Sequence, residues 1–403
     1  MPDGRLPLDY LEVDNLLPSR VLYAVSARIG GVGLDSVAHE TLRGIENRLG
    51  LAVAYGNRAR DLDHHKILTL QWHPVRLLSN LDRQYYYGAK KKVLDRVASH
   101  ILRRGGFDLF HGWSGDAVRC LRVAKELHIP SILEIPTWHR HKGNWVPFKT
   151  DHELQMESAR YPERWLNRLL ISRHQSLEEY DLADLLLVLS EKSEQTFRFA
   201  GLPKEKMFRM SRGVDVERFK PGKKPSVFRA LFVGSLIKRK GVHCLIDAWK
   251  QLALPNAELC LAGHVHPEIE PFLKDAPGSI KVIGFSKRVE DLYRESSVFV
   301  FPSECEGSAK ATYEAAASGL AQITTRESGD VVVDGLNGIL IPPNNVEALC
   351  QAILMLYQDS ALTEQMGAAG RRRAVAEFTW DHFRQRVLAA YKVAVRMCQT
   401  CNN

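Results

Sequence analysis

The sequence predicts an α/β fold built from two doubly wound parallel sheets, and three observations lead there. Short apolar runs rich in β-branched residues alternate with amphipathic helical stretches, the pattern of a parallel sheet covered on both faces. A glycine-containing turn follows the first strand of each half, in ARIGGVG and again in FVGSLIKRKG. A length of 403 residues with 45% hydrophobic content suits two domains, each with a sizeable core.

The opening stretch MPDGRLPLDYLEVDNLLPSR reads as neither a signal peptide nor an anchor, and no apolar run reaches membrane-spanning length. Seven scattered cysteines do not make a disulfide scaffold, and the lone Cys398–Cys401 pair lacks the second pair of a zinc site. A soluble cytoplasmic protein with reduced thiols is expected. The first strand spans Val21 to Ser26, and Gly30 and Gly31 follow it in a turn where backbone can approach a ligand. A helix from about Leu34 to Leu49 comes next. Further strands are expected at Leu51–Ala54, Ile67–Leu70, Asp108–His111, Ser131–Ile135, Leu185–Leu189 and Met207–Ser211. Asp61-Leu62-Asp63 spells a metal-binding triplet but lies in a polar stretch without strand context, and reads as loop.

Net charge is a modest +8, and its one local concentration is Lys90–Arg104, with six Lys or Arg against one Asp. Val93, Leu94, Val97 and Ile101 share one face there, so the segment reads as a basic amphipathic helix covering a sheet. The sharper reading is peripheral contact with an anionic membrane, at its inner face, or with an acceptor. Nucleic acid is not expected, because no recognition motif or basic-aromatic interleaving accompanies the charge. His139, after the strand ending at Ile135, is placed at the same sheet edge as the glycine turn, with His141 as an alternative.

Gly213-Val214-Asp215 and then Pro221, Gly222 and Pro225 compose an interdomain linker. Strand Ala230–Val233 runs into a loop from Gly234 through Ser235 to Gly241, then an amphipathic helix, Val242–Leu252. Lys238, Arg239 and Lys240 stand at this strand-to-helix turn, where a phosphate would sit. Strands Glu258–Ala262 and Lys281–Ile283 follow, the latter ending in Gly284-Phe285-Ser286. Strand Val298–Phe301, a loop and an Ala-rich helix from about Ala309 to Ser318 close the pattern, with Gly319 as the stop. First helical turns favour acids, yet this one carries Lys310, which suits an anion docked on the amides of Gly307, Ser308, Ala309 and Lys310. Glu306 and Glu314 bracket that mouth, eight positions apart, because helical side chains lean toward the N-terminus. Phosphate flanked by carboxylates that accept from vicinal hydroxyls is the chemistry of a nucleotide sugar.

These motifs, PS-x-x-EG, YEA-A-SG, VVVDGLNGILIPP, GVD-x-x-RF-x-PG and the Glu-x7-Glu pair, resemble the retaining glycosyltransferases of family four. The resemblance covers nearly the whole chain, most closely Ser211 to Pro343. It implies the GT-B fold: two Rossmann-like domains facing across a cleft, with a C-terminal helix packing back on the N-domain. The corresponding domains are 1–212 on the acceptor side, 213–380 for the nucleotide sugar, and the returning helix 381–403.

The implied reaction moves a hexose-type sugar from a nucleoside diphosphate to an acceptor hydroxyl, with retention, without metal or cofactor, from a UDP-, GDP- or ADP-sugar. Glu314 would hold the ribose hydroxyls and Glu306 the sugar hydroxyls. Lys240 would grip the diphosphate with an arginine whose usual position is Ser235, so that Arg239 substitutes for it. Gly234 and Ser235 would line the donor, Gly284 and Phe285 the base, Gly30 and Gly31 the phosphate and acceptor, and His139 the transferred sugar. Departures stand at Arg326-Glu327, where a glycine pair is usual, and at Asp330, where glutamate is common. Two other functions fit the same pattern, a non-catalytic nucleotide-sugar binder and a GT-B sugar-nucleotide epimerase.

Overall fold

The computed structural model describes residues 17–31, 33–139, 166–223 and 225–401, so residues 1–16 and His141 lie outside the described residues. The chain divides into two compact units. Among the described residues, one comprises those up to Val188, Glu194–Met210 and those from Phe383 onward; the other comprises Leu189–Ser193 and Ser211–His382.

In the first unit seven parallel strands run β1 (Val21–Ile29), β2 (Leu49–Asn57), β3 (Ile67–Thr69), β4 (Leu109–Trp113), β5 (Ser131–Glu134), β6 (Leu185–Val188) and β7 (Met207–Arg209). Their order in the sheet is β3-β2-β1-β4-β5-β6-β7. The second sheet contains β8 (Phe228–Val233), β9 (Ala257–Ala262), β10 (Ile280–Gly284), β11 (Val298–Phe301), β12 (Ala321–Thr324) and β13 (Gly338–Leu340), ordered β10-β9-β8-β11-β12-β13. Both orders turn back at their first strand, so each sheet has a switch point, at β1/β4 and at β8/β11. Ligands of open α/β sheets bind outside the carboxyl ends of the strands at such points. The strands are apolar because both faces are covered: Leu231, Phe232, Val298, Phe299 and Val300 are fully buried.

Several boundaries differ from the sequence expectation, each for a packing reason. Helix Leu34–Ile45 stops short of Leu49, because Leu49 is already a sheet residue paired with Val21. β1 runs on to Ile29 because it resumes pairing with β2 through Arg28 and Ile29 after a register shift. The basic helix starts at Arg83, where the Asp82 side chain caps it by accepting from the Gln84 amide at 3.0 Å. Its lysines do not form an outward cationic stripe. Lys90 is buried over the Tyr55 ring, 4.2 Å from its centroid, and burial pushes its pKa down to about 8. Lys91 pairs with buried Asp116 at 2.8 Å, and Lys92 donates to the Arg168 carbonyl at 2.6 Å. Asp61 is held by His39 and Arg43, and Asp63 caps the short turn at His64. No described helix is long and apolar enough to cross a membrane.

The terminal helix Trp380–Cys401 is tied to the first sheet by a buried polar contact. His111 Nδ1, on β4, lies 2.9 Å from the Tyr391 hydroxyl, and both residues are fully buried. Removing the hydroxyl leaves a buried ring nitrogen without its partner, a cost of about 1–3 kcal/mol. Tyr391→Phe is therefore expected to lower the unfolding free energy by that much, read as a lower urea midpoint at an unchanged denaturant slope. A midpoint equal to that of the parent protein would show that the contact contributes nothing.

Candidate functional site

The loops leaving β8 and β11 meet at the switch point of the second sheet, and glycine makes the approach close. Gly241 has φ +69°, and a side chain there would place Cβ 2.1 Å from the Pro302 carbonyl oxygen. Glu304 donates its amide to the Arg239 carbonyl at 2.9 Å, and the Ser303 hydroxyl donates to the same oxygen at 3.2 Å. Behind this seam Gly263, φ +152°, lies against the Gly234 carbonyl, where any Cβ would sit 1.8 Å away.

This seam brings together three residues that the sequence singled out. Arg239 Nη1 lies 3.1 Å from Glu306 Oε1 and also donates to the Cys305 carbonyl. Lys240 Nζ is 3.7 Å from the same carboxylate oxygen and 5.3 Å above the Phe301 ring. Burial pushes the Lys240 ammonium below the usual lysine range, against the pull of Glu306. Gly234 keeps room for it, since a Cβ there would come within 3.0 Å of Nζ. Ser235 is exposed at the start of the loop, and Arg239 is the guanidinium that reaches Glu306.

A third loop, after β12, fixes the carboxylate from behind. The Glu306 amide donates to the Glu327 carbonyl at 2.9 Å, and the Glu327 side chain pairs with Lys192 at 3.2 Å. Here the structure corrects one expectation. The Ala309 amide donates to the Ser328 carbonyl at 2.8 Å, so the run Gly307 to Lys310 does not offer all its N–H groups to an anion. Gly329, φ +116°, permits this packing: a side chain there would collide with Ser308. The Ser308 hydroxyl in turn lies 2.8 Å from the Tyr313 hydroxyl.

Glu314 sits one turn into the helix Lys310–Ala317 and is nearly buried. Tyr293 donates its hydroxyl to Glu314 Oε2 at 3.1 Å, and Lys310 Nζ stands 3.7 Å from Oε1. Burial raises the Glu314 pKa, with Lys310 opposing it. Lys310 in that first turn thus faces its own carboxylate as well as any anion. Tyr293 was not foreseen, because a tyrosine in DLYRESS reads as an ordinary core residue. At the end of β10, Gly284 has φ +70° and its carbonyl accepts from the Gly263 amide at 2.8 Å. Phe285 is 64% exposed and stacks on His264, centroids 5.7 Å apart and 9° from parallel. His264, directly after Gly263, was missed because one histidine after a strand carries no spacing signal.

The remaining candidates belong to the first unit. Gly30, φ +79°, lies against the Ala59 backbone, and Gly31 against the Asp35 side chain; both shape the turn after β1. His139 follows β5, and its ring is buried against Tyr180 and Phe197, each centroid 5.0 Å away. Among the described residues no group of three or more His, Cys, Asp or Glu could hold a metal ion.

Comparison with known proteins finds a family similarity over this site. Residues 227–359, which contain the Arg239–Lys240–Glu306 cluster, match the family described as glycosyl transferases group 1. The uncharacterized glycosyltransferase MJ1178 of Methanocaldococcus jannaschii is 33% identical over 38% of this chain and 44% of its own length. The chain thus spans less than half of that relative. The MMP alpha-(1->4)-mannosyltransferase of Mycolicibacterium hassiacum is 25% identical over 77% of each protein. Among solved structures, HepE of Anabaena in complex with UDP and glucose aligns with TM-score 0.63 and 18% identity, over 92% of this chain and 98% of that one. That likeness establishes the fold, two α/β units with parallel sheets as in GT-B proteins.

The loop seam generates a stability prediction. Gly241→Ala combines a left-handed φ with a backbone collision and is expected to cost about 1–3 kcal/mol in thermal or urea unfolding. Gly278→Ala, whose Cβ would meet open space, serves as the control and should change stability by less than about 0.5 kcal/mol. Equal stabilities for the two variants would mean that the seam is not held as described.

Proposed function

We propose that this chain, whose residues 227–359 match the glycosyl transferases group 1 family, transfers a hexose-type sugar from a nucleoside diphosphate sugar to an acceptor hydroxyl with retention of configuration. One observation carries the reading: two cations, from the loop at the switch point of one sheet, each stand within 4 Å of the same carboxylate oxygen of Glu306. A single carboxylate cannot neutralise both cations, and a diphosphate is the ligand that such a surplus at a strand-to-helix turn suits. The mannosyltransferase among the relatives and the UDP and glucose held by HepE support a sugar nucleotide as that ligand.

In this reading the sugar is the electrophile and the diphosphate the leaving group. Lys240 and Arg239 offset the charge that builds on the departing phosphate, in most such sites the largest catalytic contribution. The acceptor oxygen bonds to the anomeric carbon as the bond to phosphate breaks, and its proton passes to the departing phosphate oxygen. Glu306 orients the sugar through its hydroxyls, and Glu314 accepts from the ribose hydroxyls, its own position fixed by Tyr293. Among the amides, those of Gly307 and Ser308 remain for the phosphate. His139 has no role in the proposal, given its packing. Charge stabilisation by side chains makes the reaction independent of added metal.

Thermal-shift measurements with UDP-, GDP- and ADP-sugars test the donor site. A bound donor at about 100 times its Kd should stabilise the protein by about 2.7 kcal/mol. Lys240→Ala is expected to lower turnover of that donor by about 10²- to 10³-fold. Glu314→Gln should weaken donor binding by roughly 10- to 100-fold. Turnover should persist in EDTA. A nucleotide sugar that stabilises the protein but is neither transferred nor epimerised would favour the non-catalytic binder. A protein indifferent to every donor would end the proposal.

A further inference from the structure

A second, unassigned site lies wholly in the first unit. A cavity of about 570 Å³ opens between the helix Arg83–Arg103, the short turns Pro74–Asn80 and Leu166–Leu169, and the helices Val118–Glu126 and Arg173–Leu182. That volume falls in the range of about 300–1,000 Å³ typical of small-molecule sites. Its construction is specific. Gly88, inside the first of these helices, has no side chain, and the backbone of Leu169 and Leu170 rests where its Cβ would be. The Lys92 ammonium pins the same segment through the Arg168 carbonyl. Two buried carboxylates on the wall are already committed. Glu179 accepts from the Gly115 and Ala117 amides at 2.6 and 2.9 Å, and Asp95 from the Arg119 and Cys120 amides at 2.9 and 3.0 Å.

What remains for a ligand has two characters. Val75, Leu78, Val93, Leu169 and Ile171 make an apolar lining, and Leu77, which also lines the cavity, is 82% exposed. Large apolar side chains left open at the mouth of a cavity mark a binding surface for apolar matter. Around that lining stand Arg96, Arg119 and Arg168, none with a carboxylate within 4.0 Å among the described residues. Lys91, by contrast, is neutralised by Asp116.

We propose that this cavity binds an anionic amphiphile, an alkyl or prenyl chain bearing a phosphate group. The chain lies along Val75, Leu78, Val93 and Ile171, and Leu77 covers its outer end. The phosphate is held by the guanidinium groups of Arg96, Arg119 and Arg168, whose planar forks match phosphate oxygens. Every residue involved lies in the first unit, and binding here is independent of the donor reading.

Calorimetry on the full chain tests it, with dodecyl phosphate below its micellar concentration as the probe. Dodecyl phosphate is expected to bind at one site. Dodecyl maltoside, with the same chain and no charge, should bind roughly tenfold more weakly or worse, and inorganic phosphate not measurably. Val93→Trp fills the cavity and should abolish binding. Arg96→Ala/Arg119→Ala alters two exposed side chains without touching the core and should weaken binding roughly tenfold or more, so it decides the matter if the tryptophan variant fails to fold. Undiminished binding by the arginine variant, equal binding of the maltoside, or inorganic phosphate matching dodecyl phosphate would each overturn the proposal.

Discussion

The second unit depends on one close approach, the passage of the β8 loop beneath the β11 loop at Gly241 and Pro302. No other residue type fits the pairing of a left-handed φ with a carbonyl 2.1 Å from the missing Cβ. Because the backbones touch there, Arg239 and Lys240 emerge beside Glu306. The loop after β12 then holds this segment from the other side, its Glu327 carbonyl accepting from the Glu306 amide and its Ser328 carbonyl from the Ala309 amide. The site is therefore built from three successive crossover loops of one sheet. Its precision comes from backbone hydrogen bonds, which cannot swing away as long side chains can.

Most of this was legible in the sequence because the relevant signals are local. β11 and the helix Val242–Leu252 fall where their apolar periodicity puts them, and the strand-to-helix turns carry their cations in plain view. What the sequence could not show depends on partners distant in the chain. Glu314 owes its position to Tyr293, twenty-one residues earlier, and nothing in DLYRESS announces that hydroxyl. The Ala309 amide looked available until the β12 loop brought the Ser328 carbonyl onto it. Lys90, Lys91 and Lys92 read as one cationic run. An aromatic ring, a buried aspartate and a backbone carbonyl each claim one of them. The burial of His139 was hidden for the same reason, since Tyr180 and Phe197 lie forty or more residues away.

The two units share a design but use their switch points differently. At β8/β11 the loops present cations and a carboxylate with charge to spare. At β1/β4 the polar groups are consumed internally: Asp116 accepts from the Ser26 amide at 2.7 Å and pairs with Lys91, while Glu179 caps Gly115 and Ala117. A carboxylate that takes two backbone amides rigidifies a loop but has little left for a ligand. The first unit keeps its uncommitted charge on the outer helices instead, at Arg96, Arg119 and Arg168.

The cations of the second unit cannot be understood one at a time. Lys240 is destabilised as an ammonium by burial and by Arg239, and Glu306 is what offsets both. Removing the carboxylate would therefore do more than delete the proposed sugar contact, for it would leave two neighbouring cations to repel each other in a partly dry site. Removing Lys240 would shift the whole of Glu306 onto Arg239, through the contact already at 3.1 Å. Effects at such a cluster are coupled by more than the error of additivity, because each substitution changes the charge state that the others meet. In the proposed function an incoming diphosphate would resolve the same tension. It would supply the anionic charge that the cations lack and release Glu306 to accept from hydroxyls, so ligand binding and readiness for chemistry would be one event.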